Sequence, residues 1–318
     1  MTYIQTTARS IKRNLVNYRQ GALPNIALIA AVRGGSTLLG DMLAAQKGMW
    51  FFDEPFAHRH MQWPGKRMQL SHEKTGESSR FFDLTEAEKK EVIQYMHLLN
   101  QGAVRTTGTA RRTHFPFRAD RACLKILRGA WLIDMFAEQG MQILFLIRHP
   151  AAQSLSVMRL NWQCAAAIYF DRPDFLIRYF SNDQIEYGKK ILAEGTDFQR
   201  AVLSWVCDMS YPLRFSKNVS CQLFYEHLID QPKPWIEHLC TKLGLQDDEI
   251  MAQILSKPSG SSKMSTSDIT KAITAGDSRL LLQKWCNKLD DSDRKAGQEV
   301  LEHFDIDCYT MYDAMPNV

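Results

Sequence analysis

The chain has 318 residues, of which 45% are hydrophobic and 23% charged, and its formal net charge is +4. This composition is typical of a globular protein with a buried core. The small net charge predicts local basic sites and argues against non-specific nucleic-acid binding, which depends on many phosphate contacts.

Neither a secretory leader nor a membrane anchor is predicted. The first twenty residues lack an apolar segment, and the longest apolar run, residues 26–32, is too short to cross a bilayer. The seven cysteines are scattered, without a CxxC pair or zinc-type spacing. We therefore expect a cytoplasmic protein with reduced thiols and no bound metal.

The predicted elements begin with a basic amphipathic helix over residues 1–24 that ends at Pro24. Residues 26–32, "IALIAAV", form a continuous apolar run of strand length, as in strands that are covered on both faces. Residues 36–46 have apolar positions at helical spacing, and residues 49–56, "MWFFDEPF", form a second short apolar run.

Residues 59–122 differ from the rest in being polar, turn-rich and basic around one helical segment, and they are predicted to be an insertion or lid. Strands alternate with helices again from Cys123, in "ACLKIL", "QILFLIR" and "VSCQLFYEHLI". A long helical stretch is predicted over 174–217 and another helix ends at Gly244. Residues 257–318 are read as a Gly/Ser-rich loop followed by helices.

This alternation predicts an α/β fold in a single domain of 318 residues. The sheet is expected to be parallel, P-loop-like and flanked by helices, with its ligand at the carboxyl ends of the strands.

The turn after the first strand, "VRGGSTLL", has the composition of an anion cradle. Gly34 and Gly35 allow backbone N–H groups to approach an anion, and the following helix adds the partial charge of its N-terminus. Arg33 supplies a cation, and Ser36 and Thr37 supply hydroxyl donors. The lysine of a Walker A loop is absent, as is the GxGxxG fingerprint. An ordinary structural turn remains the alternative for this segment alone.

A second basic turn follows the strand "LFLIR". Arg148 lies at the end of this strand, and Ser156 lies eight residues later on the next helix. Further cations in this half are Lys125, Arg128 and Arg159. Two such strand ends in one parallel sheet predict a ligand with two separated anionic groups.

The two turns together resemble those of the sulfotransferase family. In that family, the first loop has a Ser where Gly34 stands here, and the second motif has an acidic or amide residue where His149 stands. The spacing from Arg148 to Ser156 matches the family's. The segments "FFDEPF", "CLKILR" and "LFYEHLIDQPKPWIEHLCTKLGL" also resemble segments of its members, the first of them in the carbohydrate-type branch.

The resemblance implies 3′-phosphoadenosine 5′-phosphosulfate, PAPS, as the sulfuryl donor, without a metal. It implies that Arg148 and Ser156 bind the 3′-phosphate. It also implies that the 5′-phosphosulfate is bound by Arg33 and by the N–H groups of the residues after it, Gly34, Gly35, Ser36, Thr37 and Leu38. A loop that closes over the donor would contain Ser262 and Lys263, although the family's usual signature is missing there.

The catalytic base is not fixed by the resemblance, because no His follows Lys125 as it does in many cytosolic members. The carbohydrate-type branch points to Glu54, whose alternative role is a salt bridge, for example with Arg33. His58 and His60 are alternative bases or acceptor-site donors. Asp53 is read as a capping residue.

The acceptor is expected to be a carbohydrate or a small molecule that presents a hydroxyl or amine. Aromatic residues near the predicted chemistry would line its pocket or pack in the core: Trp50, Phe51, Phe52, Phe56 and Trp63. The basic loop over 105–118 would grip an anionic ligand or face solvent. A kinase-like enzyme and a non-catalytic PAPS-binding module are the competing functions, and the oligomeric state stays open.

Overall fold

The computed structural model describes residues 15–57, 80–104, 116–162, 164–257 and 275–318, and the backbone of 62–63 and 66–67. Its strands are β1 (Asn17–Tyr18), β2 (Ile26–Ala30), β3 (Met49–Asp53), β4 (Gln62–Trp63), β5 (Lys66–Arg67), β6 (Arg118–Ala119), β7 (Arg121–Leu127), β8 (Gln142–Ile147) and β9 (Cys221–Phe224). Five of them form one parallel sheet in the order β3–β7–β2–β8–β9. The predicted α/β fold with a parallel sheet flanked by helices is therefore confirmed.

The helices of the described residues connect and cover these strands. They are α1 (Ser36–Ala44), α2 (Glu86–Asn100), α3 (Ile133–Glu138), α4 (Pro150–Met158), α5 (Ala166–Phe170), α6 (Pro173–Tyr179), α7 (Asn182–Glu194), α8 (Asp197–Arg214), α9 (Tyr225–Asp230), α10 (Pro232–Leu243), α11 (Asp248–Leu255), α12 (Ser278–Gln283) and α13 (Asp291–His303). None of them combines the length and apolar character needed to cross a membrane.

Side chains of the central strands alternate between two hydrophobic clusters, one on each face of the sheet. In β2, Ala27 and Ile29 belong to the larger cluster, whereas Ile26, Leu28 and Ala30 belong to the smaller one. Helices α2, α3, α8 and α13 contribute to the larger cluster, and α1, α10 and α11 to the smaller one. Burial on both faces explains why β2 is a continuous apolar run rather than an alternating one.

The strand order places a switch point between β2 and β8. From β2 the chain crosses through α1 to β3 on one side, and from β8 it crosses through several helices to β9 on the other. Loops that leave in opposite directions open a crevice at the carboxyl ends of the two strands, where ligands bind in folds of this kind. The two basic turns are the loops that flank this crevice.

The N-terminal helix predicted over 1–24 is not present in its described part. Residues 17–18 form β1, which pairs with β6, and the N–H of Asn17 donates to the carbonyl of Phe117 at 2.8 Å. Pairing with β6 satisfies backbone groups that the predicted helix would have bonded internally. Residues 1–14 lie outside the described residues.

The helical stretch predicted over 174–217 consists of three helices. Ser181 and Thr196 each accept a backbone N–H in a capping box, and these caps start α7 and α8. A cap residue has an extended backbone, so each cap interrupts the helix that precedes it.

Helix α2, inside the segment predicted as an insertion or lid, is part of the core. Val92, Tyr95 and Leu99 are buried in the larger cluster, and the Tyr95 hydroxyl donates to the carbonyl of Pro55 at 2.9 Å. The helix is thus the crossover from β3 to β7. Residues 58–61, 64–65, 68–79 and 105–115 lie outside the described residues, and a lid role for that part stays a prediction.

Candidate functional site

Three non-glycine residues with left-handed backbone lie at the carboxyl edge of the sheet. Arg33 follows β2 with φ 64°, Glu54 follows β3 with φ 55°, and Arg128 follows β7 with φ 61°. These strands are neighbours in the sheet. Such conformations cost about 1–3 kcal/mol each and cluster at functional sites. The carboxyl edge of the sheet therefore has a backbone feature that is typical of functional sites.

The turn after β2 needs glycine for two different reasons. A Cβ on Gly34 would lie 2.9 Å from the carbonyl oxygen of Ala31, and a Cβ on Gly35 would lie 2.4 Å from the Tyr225 ring. Gly35 also has φ 90° and precedes α1 without a side-chain cap on the helix. The loop therefore packs closely on Tyr225, and no side chain of Gly35 caps the N-terminus of α1.

The N–H groups of residues 34–38, predicted to face an anion, are in two situations. Gly34 donates to the carbonyl of Ala31 at 3.1 Å, and Leu38 donates to the carbonyl of Gly35 at 3.0 Å. Gly35 is the N-cap of α1, and Ser36 and Thr37 start its first turn, where no i−4 carbonyl exists within the helix. Binding of an anion by residues 34–38 stays a prediction.

The second basic turn is held against the first. The Arg148 guanidinium donates through one terminal nitrogen to the carbonyl of Arg33 at 2.9 Å and lies 4.7 Å from the centre of the Tyr225 ring. The Arg148 carbonyl accepts a bond from the Trp205 indole at 3.0 Å. The Nε of Arg148 is buried and makes no hydrogen bond with the described residues.

The two predicted anion sites meet through side chains as well. Nε of Arg33 donates to Oγ of Ser156 at 3.0 Å. Arg33 was predicted to face the 5′-phosphosulfate and Ser156 the 3′-phosphate, so Arg33 is shared between the two halves. The residues that two distant motifs contribute thus form one contiguous group.

This group is electropositive. Burial lowers the pKa of Arg33, and the nearby charges of Arg148 and Arg159 lower it further. Among the described residues, neither Arg33 nor Arg148 takes part in an ion pair. An anion bound here would replace repulsion between guanidinium groups by attraction.

Glu54 pairs with Lys125 rather than with Arg33, its suggested partner. Nζ of Lys125 is 3.1 Å from Oε1 of Glu54, whose side chain is 20% exposed. The Glu54 N–H donates to the Lys125 carbonyl at 3.0 Å, so this backbone contact also fixes the carboxylate near the lysine. The carboxylate is thus oriented and still accessible.

Asp53 has a larger role than capping. Its Oδ1 is 2.8 Å from Nζ of Lys125, and both side chains are buried. The pairing of β3 with β7 places Asp53 directly beside Lys125. One buried ammonium is therefore shared by two consecutive carboxylates, because the αL turn at Glu54 brings the second one back toward the strand.

His149 is fully buried, and its side chain makes hydrogen bonds and ring contacts within the protein. It is the N-cap of α4, where its Nδ1 accepts the N–H of Ala151 at 3.1 Å. Its ring stacks on Trp285 with centroids 4.2 Å apart. Burial lowers the pKa of His149 to about 4, so the imidazole is neutral near pH 7.

The aromatic residues after β2 are core residues wherever their side chains are described. Trp50, Phe51, Phe52 and Phe56 are at most 3% exposed, so they do not line an acceptor pocket. Trp50, Phe51 and Phe52 belong to β3, which is covered on both faces, and this explains the burial of neighbouring positions.

Several predicted residues lie outside the described residues. They are His58, His60, Ser262 and Lys263, and the side chain of Trp63. Groups of three or more metal-ligating side chains do not occur among the residues that the structure describes.

Two contributors to the site lacked a clear signal in the sequence. Tyr225 packs on both Gly35 and Arg148, whereas the sequence shows it only as part of a family-like segment. The sequence shows Lys125 only as a cation without an assigned role. Only the strand order, which brings the ends of β9 and β7 to the same edge, reveals these contacts.

Three sulfotransferases are among the solved structures to which the chain is similar. The mouse sulfotransferase SULT7A1 complexed with PAP has 14% identity and a TM-score of 0.40, with 96% of this chain and 90% of that chain covered. The sulfotransferase domain from the curacin biosynthetic pathway has 14% identity and a TM-score of 0.40, covering 90% and 99%. That of the Synechococcus PCC 7002 olefin synthase has 19% identity and a TM-score of 0.41, covering 91% and 98%.

The family of this chain is identified from its sequence. No curated protein matches it significantly. The model of the sulfotransferase family matches residues 24–249, which is more than half of the chain and spans both basic turns. The chain therefore belongs to the sulfotransferase family.

Proposed function

We propose that the protein transfers a sulfuryl group from PAPS to a hydroxyl or amine of a carbohydrate or small-molecule acceptor. The observation that carries the proposal is the contact of the two basic turns at the switch point of the sheet. Arg33 bonds Ser156 at 3.0 Å, and Arg148 bonds the Arg33 carbonyl at 2.9 Å. A donor with two separated anionic groups fits such a pair of turns.

In this proposal, Arg148 and Ser156 bind the 3′-phosphate, and the first turn of α1 binds the 5′-phosphosulfate. Helix N-termini favour anions through unpaired N–H groups and the helix dipole. Arg33 lies between the two, so its charge acts on both ends of the donor. Shared use of one guanidinium would make binding depend on both anionic groups being present.

The transfer itself forms a bond from the acceptor oxygen or nitrogen to sulfur and breaks the bond from sulfur to the bridging oxygen of the 5′-phosphate. Negative charge develops on the departing phosphate, where Arg33 and the N-terminus of α1 stabilise it. The acceptor loses a proton, and we assign its removal to Glu54. Lys125 orients this carboxylate from 3.1 Å. The products are the sulfated acceptor and 3′-phosphoadenosine 5′-phosphate, PAP.

The competing kinase-like function lacks support from the loop. A Walker A motif places lysine immediately before the hydroxyl residue that starts the helix. That position is Gly35 here, and any side chain on it would collide with the Tyr225 ring. The loop geometry thus disfavours the one residue that a P-loop kinase requires.

The direct test is transfer of label from radiolabelled PAPS to a panel of acceptors that covers sugars, amines and small alcohols. We expect a labelled product with at least one class, and no transfer of the γ-phosphate from ATP–Mg²⁺ to any of them. Tight binding of PAP without turnover on any acceptor would favour a non-catalytic binding module. Phosphate transfer from ATP would overturn the proposal.

A further inference from the structure

The side chain of His149 is enclosed by the C-terminal segment of the chain. Its Nε2 lies 3.0 Å from the carbonyl of Thr310 and 3.0 Å from that of Asp313. The Tyr309 ring meets the imidazole edge-on with centroids 4.8 Å apart, and Trp285 stacks on it. These contacts occupy Nε2 and one face of the ring.

The network fixes the tautomer of this imidazole. Nδ1 accepts the N–H of Ala151, and carbonyl oxygens can only accept, so the proton is on Nε2 and is shared by Thr310 and Asp313. The imidazole therefore ties the start of α4 to the C-terminal segment. The bond to α4 uses Nδ1, and the two bonds to the C-terminal segment use Nε2.

A second contact joins the same two parts of the chain. The backbone N–H of His149 donates to Oε1 of Glu226 at 3.0 Å, and the Tyr309 hydroxyl donates to Oε2 at 2.6 Å. Glu226 is 2% exposed. A buried carboxyl that loses one of these donors would be left poorly satisfied, so the network depends on each member.

The residues that enclose His149 lie beyond the part of the chain that the family model matches. The match ends at residue 249, whereas Trp285 and residues 309–313 come later. His149 itself directly follows Arg148, whose guanidinium contacts the first loop. A movement of the His149 backbone would therefore move the Arg148 backbone with it.

We propose that His149 and Tyr309 are positioning residues through which the C-terminal segment holds Arg148 in place for the 3′-phosphate of the donor. This rests on the proposed function, because it takes the 3′-phosphate as the ligand of Arg148. Of the two basic turns, the hydrogen bonds of the segment described above reach only the one after β8, through His149. Loss of the segment should therefore weaken recognition of the 3′-phosphate more than that of the rest of the nucleotide.

The test compares two amides at position 149. Asn places a polar atom near the Nδ1 position and keeps the cap on Ala151, but it is too short to reach the C-terminal carbonyls. Gln places an amide donor near the Nε2 position and keeps that reach, but it loses the cap. The readout is the ratio of the dissociation constants of adenosine 5′-phosphate and PAP, measured by calorimetry, since the two ligands differ only in the 3′-phosphate.

We expect His149→Asn to lower this ratio by about tenfold. At metal sites, loss of a residue that orients a ligand weakens binding by about 10- to 100-fold, and tenfold is the low end of that range. His149→Gln should stay within about threefold of the wild-type ratio, which is under 1 kcal/mol. Equal ratios in both variants and the wild type, with only lower melting temperatures, would overturn the inference. So would a ratio that Asn preserves and Gln loses, because the cap alone would then matter.

Tyr309→Phe keeps the ring and removes only the bond to Glu226. A severalfold fall in the ratio supports the inference even if the His149 variants do not fold, and an unchanged ratio overturns it. Thr196→Ala removes the cap of α8 and controls for general loss of stability. If the wild type itself does not prefer PAP, the proposed donor is wrong and the inference fails with it, whereas a preference unaffected by Tyr309→Phe refutes the inference alone.

Discussion

Replacing Glu54 by Gln tests the assignment of the base, because it removes basicity and keeps the shape. Gln can still accept a bond from Lys125, whose shorter contact, 2.8 Å to Asp53, is unaffected. The Glu54 side chain is partly exposed, so the lost charge should cost about 1 kcal/mol of stability or less. For a protein of this size, that lowers Tm by about 4 °C at most.

The same substitution should lower the turnover rate by orders of magnitude, although it changes the free energy of unfolding little. Loss of a general base typically costs about 10² to 10⁴ in rate. Donor binding should stay within a few fold of wild type, since Glu54 does not contact Arg33 or Arg148 in any hydrogen bond described above. The assay is turnover with saturating PAPS, together with calorimetry of PAP and a thermal melt on the same variant.

Asp53→Asn is the matched control, since Asp53 shares the same lysine and is adjacent in sequence. It should destabilise the fold by about 2 kcal/mol, less than the roughly 3–5 kcal/mol of a broken buried pair because Glu54 still pairs with Lys125. Its turnover should fall less than that of Glu54→Gln. If Glu54→Gln keeps more than about a third of wild-type turnover, Glu54 is not the base. The search would then move to His58 and His60.

The remaining predictions concern the two basic turns. Arg148→Ala should weaken PAP binding in calorimetry by about 2–4 kcal/mol and hardly change binding of adenosine 5′-phosphate; equal weakening would remove Arg148 from the 3′-phosphate. Gly35→Ala should lower PAP affinity by about tenfold or more, because its Cβ meets the Tyr225 ring at 2.4 Å, whereas Gly276→Ala, at φ 67° in open space, should not. Wild-type affinity in Gly35→Ala would contradict the packing argument. Burial lowers the pKa of His149 from 6.5 to about 4 in the folded protein, so the unfolded chain takes up this proton more readily. The free energy of unfolding should therefore fall by up to about 3 kcal/mol as the pH drops from about 6.5 to about 4. Urea titrations should show this loss in the wild type and not in His149→Gln; equal losses in both would contradict it.

The fold and the approximate place of the candidate site could be predicted from the sequence because both depend on local patterns. The run over residues 26–32 identified a strand buried on two faces, and "RGGST" identified the turn that follows it. Gly244 marked the end of α10, where it has φ 64°. Each of these signals lies within about ten residues of the feature it predicts.

The rest of the site depends on contacts between distant residues. Arg33 and Ser156 are separated by 123 positions, and no local pattern shows that they bond. The role of Asp53 follows from its register with Lys125 across two strands. Helix α2 has a polar composition on its exposed side, which made it resemble a lid, although its apolar positions complete the core.

The central claim is that the two basic turns bind one donor with anionic groups at its 3′ and 5′ positions. Calorimetric titration of the wild-type protein with PAP, adenosine 5′-phosphate and ATP–Mg²⁺ tests it most directly. The account predicts that PAP binds most tightly, that adenosine 5′-phosphate binds at least about tenfold more weakly, a difference of about 1.4 kcal/mol, and that ATP–Mg²⁺ does not bind. Equal affinity for PAP and adenosine 5′-phosphate, or preferential binding of ATP–Mg²⁺, would contradict it.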